Sequence, residues 1–230
     1  MSIRINRAPM VQWAAMPGET RKKPPAASRY HSPLRARQAA ETRQAIIAAA
    51  INLFRDKGWA ATTLPMIAGE AGTAVDTIYS TFGSKSNLLM AAVDVAIVGD
   101  DEEAAMIDRP GFAQLGTGRK IERLRAGVHF TVGVYQRSVP LLMALKEAAA
   151  SDEAARARLT RYDDDRREVT AAGLALILRT EVADKLVDAL SALVSPEVFT
   201  YLTEGRGWSI ASTEAWLVEM STAALGMAAH

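Results

Sequence analysis

The residue types that carry catalysis or hold metals are sparse in this sequence. Cysteine is absent, and the three histidines, His31, His129 and His230, lie far apart along the chain. There is therefore no thiolate metal site, no cysteine nucleophile and no spaced histidine pair, so neither an enzyme nor a metal or cofactor is expected. The stretch whose residue types and spacing suggest chemistry runs from Thr63 to Lys85. Within it Val75, Thr77, Tyr79 and Ser80 take outward or flanking directions on a short helix, while Ile78 and Phe82, four apart, point back to a core. A helix of this kind, preceded across a glycine turn by another short helix, is a helix-turn-helix whose second member is small and exposed enough to enter a DNA major groove.

The elements that must position these side chains follow from local signals. A helical run from Ala39 to Lys57 places Ile46, Ile47, Ala50, Leu53 and Phe54 on one apolar stripe. Gly58 ends it, because glycine tolerates the left-handed backbone of a helix C-terminus. Thr63 is placed to cap a helix from Leu64 to Ala71, with Pro65 in its first turn where a missing N–H costs nothing. Gly72-Thr73 makes the turn, a helix from Ala74 to Thr81 follows, and Ser84 can cap a fourth helix reaching about Glu103.

At these residues the sequence resembles the TetR family of transcriptional regulators. The resemblance is carried by Thr62-Thr63-Leu64, Ile67-Ala68, Ala71-Gly72, Thr77-Ile78-Tyr79 and Phe82-Gly83-Ser84-Lys85-Ser86-Asn87-Leu88-Leu89, in that order and spacing. It implies that Thr63, Thr77, Tyr79 and Lys85 meet DNA, with Tyr79 and Lys85 on phosphates. The full candidate DNA-facing set is Arg43, Thr63, Ala74, Val75, Thr77, Tyr79, Ser80 and Lys85. Two positions depart from the family pattern: Ala74 stands where a small hydroxyl residue is common, and Val75 where a basic one is common. The third helix should therefore be poorly capped, and Val75 can offer an apolar contact such as to a thymine methyl but no hydrogen bond.

Composition agrees with an all-α protein. In 230 residues, 49% are hydrophobic, and alanine-rich amphipathic runs recur without a convincing alternating strand pattern. The absence of cysteine suits a reducing cytoplasm. Apolar stretches such as Leu88 to Val98 are interrupted by Asp94 and too short to span a bilayer, so no membrane partner is expected. The net charge of +1 is uneven: residues 1–43 carry nine basic side chains against Glu19 and Glu41, a balance of +7, which leaves −6 for the remainder. A basic end on a mildly acidic body is the distribution of a DNA-binding end, because phosphate contacts are electrostatic.

Residues 1–35 read as a disordered basic arm, rich in proline and containing Arg21-Lys22-Lys23, which either adds DNA contacts or is a solvated tail. Its apolar segment from Ala8 to Met16 is short and lacks a cleavage site, so it is not read as a leader. Residues 36–85 form the helix-turn-helix domain and 86–230 a larger helical bundle, about nine to ten helices in all. Gly99-Asp100-Asp101-Glu102-Glu103 reads as a solvated helix end, with a metal site as the alternative, and Gly116-Thr117-Gly118 as a connector. Helices are then expected from about Lys120 to Arg137, from Pro140 to about Ala150, and from about Asp152 to Leu178, where a near-heptad spacing is broken by Arg166. Asp163-Asp164-Asp165-Arg166-Arg167 reads as an exposed, self-paired face. The C-terminal third offers helices from Glu181 to Val194, from Ser195-Pro196 to Glu204, and from Ser212 to Leu225.

In the TetR family such a bundle encloses a small-molecule pocket and pairs with a second copy. The candidate pocket residues are His129, Phe130, Val134, Tyr135, Met143 and Tyr162, all of which are also ordinary core residues. Ser195-Pro196-Glu197-Val198, Arg206-Gly207-Trp208-Ser209 and Ala215-Trp216-Leu217 resemble the family's C-terminal segment, which implies a homodimer. Leu186, Leu190, Leu193, Trp216, Met220 and Ala224 are the candidate interface, although they could equally close the monomer's own core. A dimer would read two half-sites of operator DNA. The expectation is thus a DNA-binding repressor released by a small, mostly hydrophobic effector, since nothing suggests a surface for recruiting polymerase. The alternative is a DNA-binding regulator or architectural protein without a ligand.

Overall fold

The structure, a computed structural model, describes residues 33–99 and 106–227. Residues 1–32, most of the expected basic arm, lie outside the described residues, as do Asp100 to Glu103 of the acidic cluster, His31 and His230. The described chain is helical throughout: α1 (Pro33–Ala61), α2 (Leu64–Ala71), α3 (Val75–Phe82), α4 (Lys85–Val98), α5 (Pro110–Ala113), α6 (Lys120–Ala149), α7 (Glu153–Leu178), α8 (Asp184–Leu193), α9 (Pro196–Thr200) and α10 (Ile210–Ala224). Short helical turns flank α5, and a single π-turn, Tyr201–Gly205, follows α9.

The head is built from the caps that its sequence offers. Gly58 takes φ 72° inside α1, so the regular helix stops there although helical hydrogen bonding resumes to Ala61. Thr63 Oγ1 accepts the Met66 N–H at 3.4 Å and Gly72 closes α2 at φ 65°. Ala74 gives α3 no side-chain cap, as its methyl group dictates, whereas Ser84 Oγ accepts the Asn87 N–H at 3.0 Å to start α4. Asn87 Nδ2 in turn donates to the Phe82 carbonyl, which fastens the end of α3 to the beginning of α4.

One apolar cluster runs from the head into the body. Ile46, Ala50 and Phe54 of α1, Ile67 of α2 and Ile78 of α3 pack with Leu88, Leu89 and Val93 of α4 and with Leu141, Leu145 and Ala148 of α6. A second cluster, from Phe112 and Leu115 through Val128 and Val132 to Phe199 and Leu217, fills the far end, and a third joins Leu174 of α7 to Val187 and Leu190 of α8.

Three expectations are corrected. The chain enters α1 at Pro33, so the arm boundary drawn at residue 35 falls inside a helix. Pro140 does not begin a helix but lies within the 30-residue α6. An interior proline costs a helix about 3 kcal/mol, but Leu141, Leu142 and Leu145 beside it are at most 3% exposed, and burying each is worth about 1.5–3 kcal/mol. Packing therefore carries the helix across the missing hydrogen bond. The run from Asp163 to Arg167 is self-paired only through Arg166 and Asp163, 4.0 Å apart: Arg167 bonds Asp184 and Asp188 of α8 at 2.9 and 2.6 Å, while Asp165 and Arg166 line an interior cavity.

Candidate DNA-reading face and effector cavity

The outer surface of the head is where α3 leaves polar groups free of the core. Tyr79 is 53% exposed, Ser80, Thr63 and Ala74 are exposed, and Thr77 is half-buried. Val75 is half-buried against the head's own core. Ser80 Oγ and Thr81 Oγ1 both donate to the Thr77 carbonyl, at 2.9 and 2.7 Å, so each hydroxyl is held with lone pairs still available. Arg43, on α1, lies with its guanidinium 4.7 Å from the Phe82 ring centroid, which places a fixed positive charge beside the last turn of α3.

Lys85 is seated on α1. Its Nζ donates to the Trp59 carbonyl at 2.5 Å and stands 3.9 Å from the centre of the Trp59 ring. Burial in this seat lowers its pKa, with Glu147 pulling the other way. Glu147 Oε2 also accepts the Trp59 N–H at 3.1 Å, so α6 grips the same residue from the body side. Trp59 is therefore a joint between head and body, stacked on Phe54 at 6.0 Å. Nothing in the sequence separated Trp59 from an ordinary core aromatic, because its partners lie 26 and 88 positions away.

The structure splits the expected pocket residues among three places. Phe130, Val134, Tyr135 and Tyr162 converge on one cavity of about 110 Å³ between α4, α6 and α7. Met143 and Tyr162 line a separate cleft of about 360 Å³ between α6, α7 and α9. His129 lines neither: its side chain is 78% exposed and its Nδ1 lies 3.1 Å from Glu214 of α10. At a point where α6 faces α10, the imidazole meets a surface carboxylate rather than the interior.

The α4–α6–α7 cavity has an apolar floor and a charged wall. Ile97 and Val98 of α4, Met106, Phe130, Val134 and Val169 supply the floor. Arg158, Tyr162, Asp165 and Arg166 share one face of α7, at helical spacing, and form the wall with Asp94 of α4 opposite. Arg158 Nη2 pairs with Asp94 Oδ1, joining α7 to α4 across the opening. Arg166 Nη1 donates to the Ser191 carbonyl at 2.6 Å. Burial pushes the Tyr135 and Tyr162 hydroxyls well above their ordinary range, and Tyr135 donates to the Val194 carbonyl at 2.5 Å. Burial likewise raises the Asp165 carboxyl, against the pull of Arg158. The charged wall was missed in the sequence, although two signals were present: Asp94 interrupts the apolar run from Leu88 to Val98, and Arg166 interrupts the heptad of α7.

The expected dimer residues are also redistributed. Leu190 is 2% exposed and packs on Leu174, so it closes the monomer's own core. Leu186 and Leu193 are partly buried in the same cluster, and Trp216 is half-buried and edge-on to Trp208 at 6.2 Å. Met220 is half-buried and Ala224 exposed. The exposed residues of α8 are Asp184, Lys185, Asp188, Ala189 and Ala192, and those of α10 are Ala211, Ser212, Ala215, Glu219, Ala223 and Ala224, of which Ala211, Ala215, Glu219 and Ala223 are spaced by four.

Among the described residues no helix is long and apolar enough to cross a membrane, and no group of three potential metal ligands comes together. Residues 46–92 match the family described as bacterial regulatory proteins, tetR family. No curated protein matches the chain. Solved structures do. A proposed TetR-family transcriptional regulator from Syntrophomonas wolfei superposes with a TM-score of 0.63 at 16% identity, over 82% of this chain and 97% of that one. A TetR-like transcriptional regulator from Rhodococcus sp. RHA1 gives 0.56 at 19% identity, over 80% and 96%. A proposed transcriptional regulator from Saccharomonospora viridis, solved in complex with choline, gives 0.59 at 23% identity, over 78% and 95%.

Proposed function

Through residues 46–92 the chain belongs to the TetR family of bacterial regulatory proteins, and from that premise we propose that it is a homodimeric repressor, acting in the cytoplasm, whose hold on operator DNA is released by a small molecule in the α4–α6–α7 cavity. The observation that carries this reading is the course of α4. It starts at Lys85, beside the DNA-facing end, and nine residues later presents Asp94, then Ile97 and Val98, to the cavity wall. At 1.5 Å per residue those two points are about 14 Å apart on one rigid element. A ligand that prefers one position of α4 also selects one position of the head, to the extent of its differential affinity for the two.

In this reading Tyr79, Thr63 and Lys85 hold phosphates while Val75, Thr77 and Ser80 face base edges, with Ala74 close to the backbone and Arg43 at the flank. Lys85 reaches DNA by leaving its seat on the Trp59 carbonyl, which makes the α1–α2 joint part of the reading face. Dimerisation through the outward stripe of α10, Ala211, Ala215, Glu219 and Ala223, with Ala189 and Ala192 of α8, sets two such heads on successive major grooves, about 34–36 Å apart or a multiple of it. Small side chains suit this role because they let helices approach closely. The choline bound in the Saccharomonospora viridis relative supports a small-molecule site within this fold.

The test is binding of the purified protein to its own upstream intergenic DNA across a salt series, with Tyr79→Ala and Lys85→Ala for comparison. Saturable binding to one palindromic site, weakened by both substitutions, is the expected result. Indifference to any DNA at low salt would overturn the reading.

A further inference from the structure

The charged wall of the α4–α6–α7 cavity contains more hydrogen-bond donor capacity than the protein uses. Arg158, with a side chain only 11% exposed, gives Nη2 to Asp94, and its Nη1 is buried with no hydrogen-bond partner among the described residues. Arg166 gives Nη1 to the Ser191 carbonyl, while its Nε is buried without a hydrogen bond, the Asp163 carboxylate standing 4.0 Å off. Both guanidinium groups line the cavity from one face of α7; Arg166 is engaged by the Ser191 carbonyl, Asp163 and the Tyr135 hydroxyl, whereas Arg158 has a buried N–H that no protein group among the described residues accepts. A buried donor without a partner is costly, and a guanidinium recovers most by pairing with a planar anion.

We propose that the cavity takes an organic anion, a carboxylate or similar headgroup on a short apolar body, and that this headgroup replaces the Asp94 carboxylate on Arg158. The inference rests on the reading of this cavity as the effector site. Asp94 is 38% exposed against 11% for Arg158, so Asp94 can swing toward solvent while Arg158 stays in place. The apolar body lies along Ile97, Phe130 and Val134. The headgroup is assigned to the Arg158 end because a carboxylate, that of Asp94, already pairs with Arg158 there; Asp165 lies within the field of Arg158 and Asp94, and the raised pKa that burial gives it eases its repulsion of the incoming anion.

The exchange has a mechanical consequence. α4 is fastened to α7 twice, by Ser86 Oγ donating to Asp152 and by Arg158 donating to Asp94. Arg137 of α6 reaches the Ala96 carbonyl at 3.3 Å, close to the C-terminal end of α4. An anion on Arg158 removes the middle fastening alone. α4 then keeps its pivots near Ser86 and Ala96 and loses the tie between them.

The test is calorimetric titration of the full-length protein with three probes of equal chain length, octanoate, octanol and octyltrimethylammonium, alongside the Arg158→Gln and Asp94→Asn variants checked for helicity by circular dichroism. Octanoate is expected to bind about tenfold more tightly than either other probe. Arg158→Gln is expected to abolish that preference. Asp94→Asn is expected to tighten octanoate severalfold, since the competing carboxylate is gone, and it remains informative if Arg158→Gln does not fold. Equal binding of octanol, a preference for the ammonium, no binding of any probe, or weaker octanoate binding to Asp94→Asn would each overturn the proposal. Release of operator DNA by the ammonium would do so while leaving the ligand-responsive repressor intact. Tight octanoate binding by a protein that ignores DNA would reject the repressor and keep the anion site.

Discussion

Thr62 and Thr63 are neighbours of opposite exposure, and substituting each separates the fold from the DNA contact proposed for Thr63. Thr62 is fully buried, and its hydroxyl donates to the Leu53 carbonyl at 3.0 Å and the Gly58 carbonyl at 2.8 Å, closing the chain back over the end of α1. Thr62→Val preserves the shape, so no cavity forms, and the loss is confined to the hydroxyl proton shared by two carbonyls. Leaving those acceptors without it costs about 1–3 kcal/mol. For a chain of this size each 1 kcal/mol lowers the melting temperature by about 2–4 °C. Thr63, by contrast, is exposed and accepts the Met66 N–H at a long 3.4 Å, so Thr63→Ala should cost about 0.5 kcal/mol, the low end for a lost cap. Urea unfolding at fixed protein concentration and operator binding by the folded protein, measured side by side, should show Thr62→Val lowering the midpoint without changing affinity. Thr63→Ala should weaken affinity with little change in midpoint. An unchanged midpoint for Thr62→Val, or the same loss of affinity from both, would refute the assignment.

Other consequences are open to direct measurement. If Lys85 neutralises a phosphate in each protomer, Lys85→Ala should flatten the dependence of log affinity on log salt by about 0.9 per chain, and an unaltered slope would remove Lys85 from the interface. Ser86 holds the Asp152 carboxyl below the ordinary aspartate range, so this contact stabilises the fold above the unfolded aspartate pKa and is lost as pH falls through the depressed folded value. Ser86→Ala should therefore narrow the stability difference between neutral and acidic solution, read as the shift of the urea midpoint. Ala215→Arg, on the outward stripe of α10, should yield a monomer by sedimentation with its helicity intact. Leu190→Ala should instead destabilise the chain by about 2–5 kcal/mol, because that side chain belongs to the core.

What was legible in the sequence is what local chemistry decides. Gly58, Thr63, Gly72 and Ser84 each act within a few residues of themselves, so the head could be drawn from local signals, and the missing cap at Ala74 from its departure from the family pattern. Pro140 was misread because its local effect is to stop a helix, while the leucines that keep α6 continuous are held by α1 and α4, which spacing within α6 does not reveal. The cavity was half legible. Its aromatic and aliphatic lining follows from amphipathic periodicity, but the Asp94–Arg158 pair joins positions 64 apart, and only the crossing of α4 and α7 brings them together. His129 and Leu190 mark the same limit from the other side, since a helical wheel gives a direction without saying which neighbour fills it.

The apolar cluster shared by the head and α6 bears on how such regulators can be recombined. Leu88, Leu89 and Val93 cover the inner side of α1, and Leu141, Leu145 and Ala148 complete that cover from the middle of the chain. A hybrid that joins residues 36–85 to a foreign body would strip away both layers and leave Ile46, Ala50 and Phe54 facing solvent, an invitation to clump rather than to fold. A transplantable reading unit has to carry α4 and the last three turns of α6, or an acceptor helix with matching side chains at those positions. On the proposed reading, operator preference is therefore better changed by replacing side chains on α3 than by exchanging heads.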